Sequence, residues 1–157
     1  MKHIQWDERA GAAVNAKREL PPLVSDYFSR ARDLLAANPS PAQLHRLRLA
    51  TKRLRYTLEL FRSCYGPGLD SRLAVLRKVQ QLLGEVNDSV TAGVRLSKIM
   101  KHSPHPTRVK NHLDGRAAGL AAEFGKLWKD EFDAPGQEIW WTVYLARNAR
   151  APGKRSA

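Results

Sequence analysis

The chain has 157 residues, 43% of them hydrophobic, which is enough for one domain with a buried core. Its 27 lysines and arginines exceed its 15 acids and give a formal net charge of +12, so we expect a polyanionic partner. The single cysteine, Cys64, excludes an internal disulfide, and no apolar run suits a secretory signal or a membrane span. We therefore expect a cytoplasmic protein without a membrane partner.

Apolar residues recur mostly at spacings of three and four, which predicts helices and an all-α fold. Residues 1–22 are expected to form an N-terminal extension, and the first helix is expected from Leu23 to Ala37. The sequence NPSP then breaks the chain. Within it, Ser40 is a candidate N-cap for the second helix, and Pro41 suits the first turn of that helix.

The second helix is expected over Pro41–Cys64, where the sequence YGPG stops it and Gly66 suits the position just past a helix end. The third helix is expected to begin near Asp70, a candidate N-cap, and to reach about Lys101. Gly84 and the NDS sequence at Asn87–Ser89 predict a kink within this third helix.

The fourth helix is expected from about Thr107 to Phe132, between the loop sequences HSPHP and DAPG. Four helices joined by short loops predict a four-helix bundle over residues 23–132. Residues 133–150 form an aromatic segment, either a short helix or an irregular stretch. Its Trp140, Trp141 and Tyr144 are expected to pack on the bundle or across a dimer contact. Residues 151–157 read as a basic disordered tail.

The excess positive charge is concentrated in the second helix. Residues 41–63 carry six basic residues and one acid, a net charge of +5. At about 100° per residue, one side of this helix carries a basic stripe, which consists of His45, Arg48, Lys52 and Arg55. Solvated faces usually alternate in sign, because like charges one turn apart repel by a few tenths of a kcal/mol. A stripe that omits acids therefore favours a ligand that supplies the negative charge.

Arginine and lysine both bind phosphate, so a linear polyphosphate or a nucleic acid would suit the basic stripe. Proteins that bind single strands usually interleave several aromatic platforms with the basic residues. Tyr56 is the only aromatic residue beside the stripe. This pattern favours a plain phosphate chain over stacked bases.

Two stretches resemble the signatures of the CHAD family, the conserved histidine α-helical domain. They are LHRLRLATKRLRYTLELF at Leu44–Phe61 and LRKVQQLLGEVNDSV at Leu76–Val90. The resemblance spans roughly Leu23–Trp128. It implies a helical domain that binds inorganic polyphosphate through basic side chains. The basic positions that it implies for this chain are His45, Arg48, Lys52, Arg53 and Arg55, with Lys78 in the second signature, while Tyr56 and Glu59 match the C-terminal-half version of the motif.

CHAD chains usually carry the pattern twice, in two four-helix bundles around a basic channel, whereas this chain carries it once, in a form like the C-terminal half. The resemblance thus implies half of a CHAD architecture. We expect a homodimer that restores the channel, since two-fold pairing is the commonest oligomer symmetry. A different protein could instead supply the other half, or the chain could be a fragment that binds nothing.

No catalytic residue, metal site or cofactor is predicted. The sequence lacks a Gly-rich phosphate loop, G-x-S-x-G, HExxH and zinc-ligand spacing. His102 and His105 read as part of a polar loop. Asn87 and Asp88 are expected to cap the resumed helix or to bond to the stripe. His45 is expected to donate a hydrogen bond to phosphate or, alternatively, to form one within the bundle.

The leading hypothesis is therefore a non-catalytic, cytoplasmic protein that binds polyphosphate. Such a protein could also associate with polyphosphate granules. Two hypotheses from other classes stay open. The chain could be a nucleic-acid-binding or nucleoid-associated helical protein, or an assembly module that docks on an acidic protein.

Overall fold

The computed structural model describes residues 4–99 and 106–151, and these ranges contain helices and no strand. The helices are α1 (Ala12–Ala36), α2 (Pro41–Leu60), α3 (Arg62–Tyr65), α4 (Pro67–Ile99), α5 (Pro106–Leu127), the π-helix Trp128–Phe132 and α6 (Gln137–Arg147). Helix α4 packs against α2 and α5, while α1 packs against α2 and α6. This arrangement confirms the prediction of an all-α helical bundle with an additional short C-terminal helix.

Helix α1 begins at Ala12, so the predicted start at Leu23 is wrong. The helix continues through Pro21 and Pro22, although each proline removes a backbone donor and disfavours a helix interior. Ala16 and Leu20, which precede the prolines in the helix, are fully buried, and their burial offsets that cost. Much of the predicted N-terminal extension is therefore part of α1.

Helix α2 begins as its sequence predicts. The Ser40 backbone N–H donates to Gln43 Oε1 at 2.8 Å, and the Gln43 backbone N–H donates to Ser40 Oγ at 3.4 Å, which forms a capping box with Pro41 in the first turn. The helix ends at Leu60 and not at Cys64, because Phe61 interrupts it before the single turn of α3. Gly66, with φ of 66°, follows α3 as predicted.

Helix α4 begins at Pro67 and continues without interruption to Ile99, so the predicted N-cap at Asp70 is wrong and the helix does not stop and resume at Gly84 or Asn87–Ser89. Asp70 lies in the first turn and pairs with Arg62 at 2.6 Å. Gly84 has a role between helices: a Cβ atom placed there would lie 3.5 Å from Arg48 Nε. The glycine therefore marks the place where an arginine of α2 lies against α4.

An aromatic cluster fills the core between α1, α5, the π-helix and α6. The Phe28 and Phe132 rings stack with 4.8 Å between centroids, and Trp141 is 2% exposed. On α6, Trp140 stacks on Tyr144 at 4.7 Å, and the Arg72 guanidinium lies 3.8 Å above the Trp140 ring. The aromatic segment thus packs on the bundle, which was one of its two predicted roles.

Some predictions concern residues outside the described ranges, namely the pair His102 and His105 and the tail from residue 152 onward. Across the described helices, none combines the length and the apolar character that a membrane crossing requires.

Candidate functional site

The two sequence signatures meet where α2 packs on α4. His45 Nδ1 lies 2.7 Å from Asn87 Oδ1, and Arg55 Nε donates to Gln80 Oε1 at 2.8 Å. Later residues of α2 contact earlier residues of α4, so the two helices run antiparallel. Of the two roles predicted for Asn87, bonding to the stripe is the one observed, since α4 continues through this residue.

The basic stripe lies beside α4 because the apolar face of α2 is buried elsewhere. Leu47, Leu54 and Leu58 are at most 4% exposed, and they hold α2 against the core. Other residues of α2 point at least about a quarter-turn around the helix axis from these leucines. Their side chains lie at the surface, along the contact with α4. This surface strip, formed by the basic stripe and the α4 residues beside it, is the α2–α4 groove.

Arg48 is the least satisfied of the stripe residues. Its Nε atom is buried against Gly84 and has no hydrogen-bond partner among the described residues. A buried donor left without a partner costs about 1–3 kcal/mol. The ion pairs of the described residues do not include Arg48 either. An anion in the groove could pair with the rest of the guanidinium, and it would bond Nε itself only after the Arg48 side chain moved, because this atom is out of contact with solvent.

Arg55, in contrast to Arg48, has hydrogen-bond partners for its guanidinium. Its Nη1 donates to both carboxylate oxygens of Glu59, at 2.7 and 2.8 Å, and its guanidinium lies 4.2 Å from the Tyr56 ring centroid. The Arg55 side chain is only 13% exposed. The expectation that a ligand alone neutralises the stripe is therefore wrong at this position, where Glu59 supplies the charge.

Glu59 also binds a basic residue of α4, since Arg77 Nη2 donates to its Oε1 at 3.0 Å. Burial acts to raise the pKa of Glu59, but hydrogen bonds from Arg77 and Arg55 outweigh it and lower the pKa below its ordinary value. Sequence reasoning missed Arg77. Arg77 lies three residues before Gln80 and seven before Gly84, and this spacing places all three on one side of α4. The sequence could therefore have indicated that Arg77 faces α2.

Lys52, Arg53 and Tyr56 lie further out on α2 and are exposed. The Lys52 ammonium is 5.7 Å from the Tyr56 ring centroid. Two leucines that the predicted core face does not include, Leu49 and Leu60, are 48% and 80% exposed. Leu49, Arg53, Tyr56 and Leu60 together form the α2 outer surface, which borders the basic stripe.

Lys78 does not join the stripe. It lies on the α5 side of α4, and its Nζ is 3.5 Å from Glu131 Oε2 of the π-helix. It lines a groove of about 500 Å³ between α4, α5 and the π-helix, where acidic and basic side chains are mixed. The mixed charge of this groove suits a polyanion poorly.

The hydrogen bond to Asn87 sets the proton position on His45. Asn87 Nδ2 donates to Asp88 Oδ1 at 3.4 Å, which leaves Asn87 Oδ1 as the acceptor that faces His45 Nδ1. The histidine therefore carries its proton on Nδ1. A neutral ring can then only accept a hydrogen bond at Nε2, and it donates to an anion there after taking up a second proton.

Within residues 4–99 and 106–151, no group of three or more His, Cys, Asp or Glu side chains could hold a metal ion. The CHAD domain family model matches residues 3–97 of the chain, a range that includes both signatures, α1 to α3 and most of α4. No curated protein and no solved structure matches the chain.

Proposed function

Because the chain belongs to the CHAD domain family, a family of polyphosphate-binding domains, we propose that it binds inorganic polyphosphate in the α2–α4 groove without catalysing a reaction. The observation that carries the proposal is the state of Arg48. Its guanidinium is packed against Gly84 with a buried N–H that has no partner in the described part of the chain. A phosphate oxygen is the acceptor that the planar fork of an arginine suits best.

His45, Arg48 and Lys52 form the proposed phosphate-binding set. They span two turns of α2, about 10 Å at ~1.5 Å per residue, so neighbouring phosphates of one chain could contact successive residues. Repeated contacts would release counterions, which makes the affinity depend steeply on salt. Arg53 and Tyr56 border this set on the outer side of α2.

Two positions implied by the family resemblance have contacts that favour other roles. Arg55 is engaged by Glu59 and Gln80, and Lys78 lies beside Glu131 on the α5 side of α4. We assign Arg55 to the wall of the groove. Lys78 has no role in the proposed site. A cytoplasmic location and association with polyphosphate granules stay predictions.

A competition experiment tests the proposal against nucleic-acid binding. Long-chain polyphosphate is expected to displace single-stranded DNA from the protein at equal phosphate concentration in about 0.15 M salt. The physical reason is that Tyr56 is the one aromatic residue beside the proposed set in the described groove, whereas base stacking needs several such platforms. Fluorescence anisotropy of labelled DNA measures the displacement.

Displacement of polyphosphate by DNA would instead support the nucleic-acid hypothesis. A stable complex with an acidic protein that polyphosphate leaves intact would support the assembly-module hypothesis.

A second copy of the chain completes the channel in this proposal, by contact through the α2 outer surface. Leu49 and Leu60 are exposed there, and they border the phosphate-binding set. Lys52 and Arg53 lie between them, so two copies would repel each other until an anion neutralises these charges. Dimerisation is therefore expected to depend on polyphosphate.

Light scattering after size exclusion checks this expectation. The wild-type chain should shift from monomer to dimer when polyphosphate is added, and the variant L49D/L60D should stay monomeric. The double variant I139D/V143D provides a matched control, because Ile139 and Val143 are 68% and 42% exposed on α6 and their replacement adds the same charge and should leave the dimer intact. A wild-type chain that stays monomeric with and without polyphosphate would contradict the dimer.

A further inference from the structure

Glu59 occupies a particular place in the basic region of α2. It is the only acid in residues 41–63, and it lies at the end of the stripe that is farthest from His45. Its carboxylate joins Arg55 of α2 to Arg77 of α4, with N–O distances of 2.7 and 3.0 Å. One anionic group thus already bridges the two helices at this end of the α2–α4 groove.

The groups around this carboxylate are arranged as a phosphate site would be. Arg55 is fixed from three sides, by Gln80 at Nε, by the Tyr56 ring beneath the guanidinium and by Glu59 itself. Arg77 is 52% exposed and approaches from the other helix. A carboxylate and a phosphate both present oxygen atoms to a guanidinium fork, so each could fill the space between the two arginines.

Building on the proposed function, we infer that Glu59 is an internal counter-anion that ends the polyphosphate track. It occupies the position at which a further phosphate would bridge Arg55 and Arg77, and it confines the bound chain to the part of the stripe from His45 to Lys52. Glu59 thereby limits both the number of phosphates bound and the affinity of the site.

Replacing Glu59 with glutamine tests this inference. Glutamine keeps the size of the side chain and removes the charge, which makes both guanidiniums available to phosphate. We expect polyphosphate to bind about tenfold more tightly, and the plot of log K against log salt to steepen by about one, since each neutralised phosphate adds ~0.7–0.9 to the slope. Isothermal titration at several salt concentrations measures both quantities. The length of the shortest chain that binds with full affinity should also increase.

Glu8→Gln is the matched control, because it removes the same charge from an exposed residue outside the groove. Equal gains in affinity and slope for both variants would overturn the inference, since they would reflect net charge alone. If the wild-type chain binds no polyphosphate, the proposed function fails. If the wild type binds and Glu59→Gln behaves like Glu8→Gln, only the inference fails.

Arg77 allows a second test that does not depend on how Glu59→Gln folds, because Arg77 is on the surface. In the wild-type background, Arg77→Gln should weaken binding no more than Arg9→Gln, a change at an exposed arginine outside the groove, since the Arg77 guanidinium is already paired with Glu59. In the Glu59→Gln background, the same change should remove most of the gain, as a double-mutant cycle shows. A substantial loss from Arg77→Gln in the wild type would overturn the inference.

Discussion

Replacing Arg48 and Lys52 together with glutamine is expected to weaken polyphosphate binding by about 100-fold or more. Each side chain would make a charge-assisted hydrogen bond with phosphate, and such a bond contributes about 1.5–3 kcal/mol. Two bonds at the low end of that range already correspond to about a hundredfold in the dissociation constant. The fold should be retained, because neither residue has an ion-pair partner among the described residues and Lys52 is exposed. Titration calorimetry measures the affinity, and circular dichroism measures the helicity.

The matched control is the pair Arg9→Gln and Lys17→Gln, which lowers the net charge equally at two exposed positions in the N-terminal part of the chain. Their loss of affinity should be small and should disappear at higher salt, because it reflects only the long-range field. Equal losses from the two double variants would contradict a site in the α2–α4 groove. They would indicate instead that polyphosphate binds by net charge anywhere on the surface.

Trp128→Ala is expected to produce the opposite result, a large loss of stability with little change in affinity. Trp128 is 3% exposed in the π-helix, and its ring lies 6.0 Å from that of Tyr27 and 4.8 Å from that of Phe132. Its Nε1 also donates to Asp133 Oδ2 at 3.2 Å. Removing a buried tryptophan leaves a cavity and costs about 3–5 kcal/mol. Urea unfolding followed by circular dichroism measures this free energy.

Trp6→Ala is the control for this variant, because Trp6 is 51% exposed and its ring lies 6.1 Å from that of Phe61, which has the lower burial expected at an edge of the core. Its replacement should cost clearly less. Below its unfolding midpoint, Trp128→Ala should bind polyphosphate within about threefold of the wild type, since none of the cation–π contacts among the described residues joins the Trp128 ring to the basic stripe. A loss of affinity larger than that in the still-folded protein would mean that the aromatic cluster positions the groove.

The two experiments together separate the binding surface from the part of the fold that supports it. The groove is formed by α2 and α4, whereas the aromatic cluster joins α1, α5, the π-helix and α6. Arg32 adds to that second region by bonding Asp133 and so fastening α1 to the end of the π-helix. The core behind the groove is therefore built largely by helices that do not form the groove itself.

Features that depend on residues within one or two helical turns could be predicted from the sequence. The capping box at Ser40 and Gln43, the turn at Gly66 and the amphipathic division of α2 all follow from local spacing. The pairing of Arg55 with Glu59 was also available as an i,i+4 pair, although the interpretation of the stripe as acid-free passed over it. Both family signatures were recognisable for the same reason, since each lies within one helix.

The tertiary structure decided what those local features do. Helix α1 extends through Pro21 and Pro22 because Ala16 and Leu20 are buried against other helices, and no local propensity predicts that burial. The contacts of Arg48 with Gly84 and of Arg77 with Glu59 depend on the register between α2 and α4. That register is set by core side chains from separate helices. The sequence by itself therefore determined that α2 carries a basic stripe, and only the packing of α4 decided which of its cations stay open to a ligand and which the protein neutralises itself.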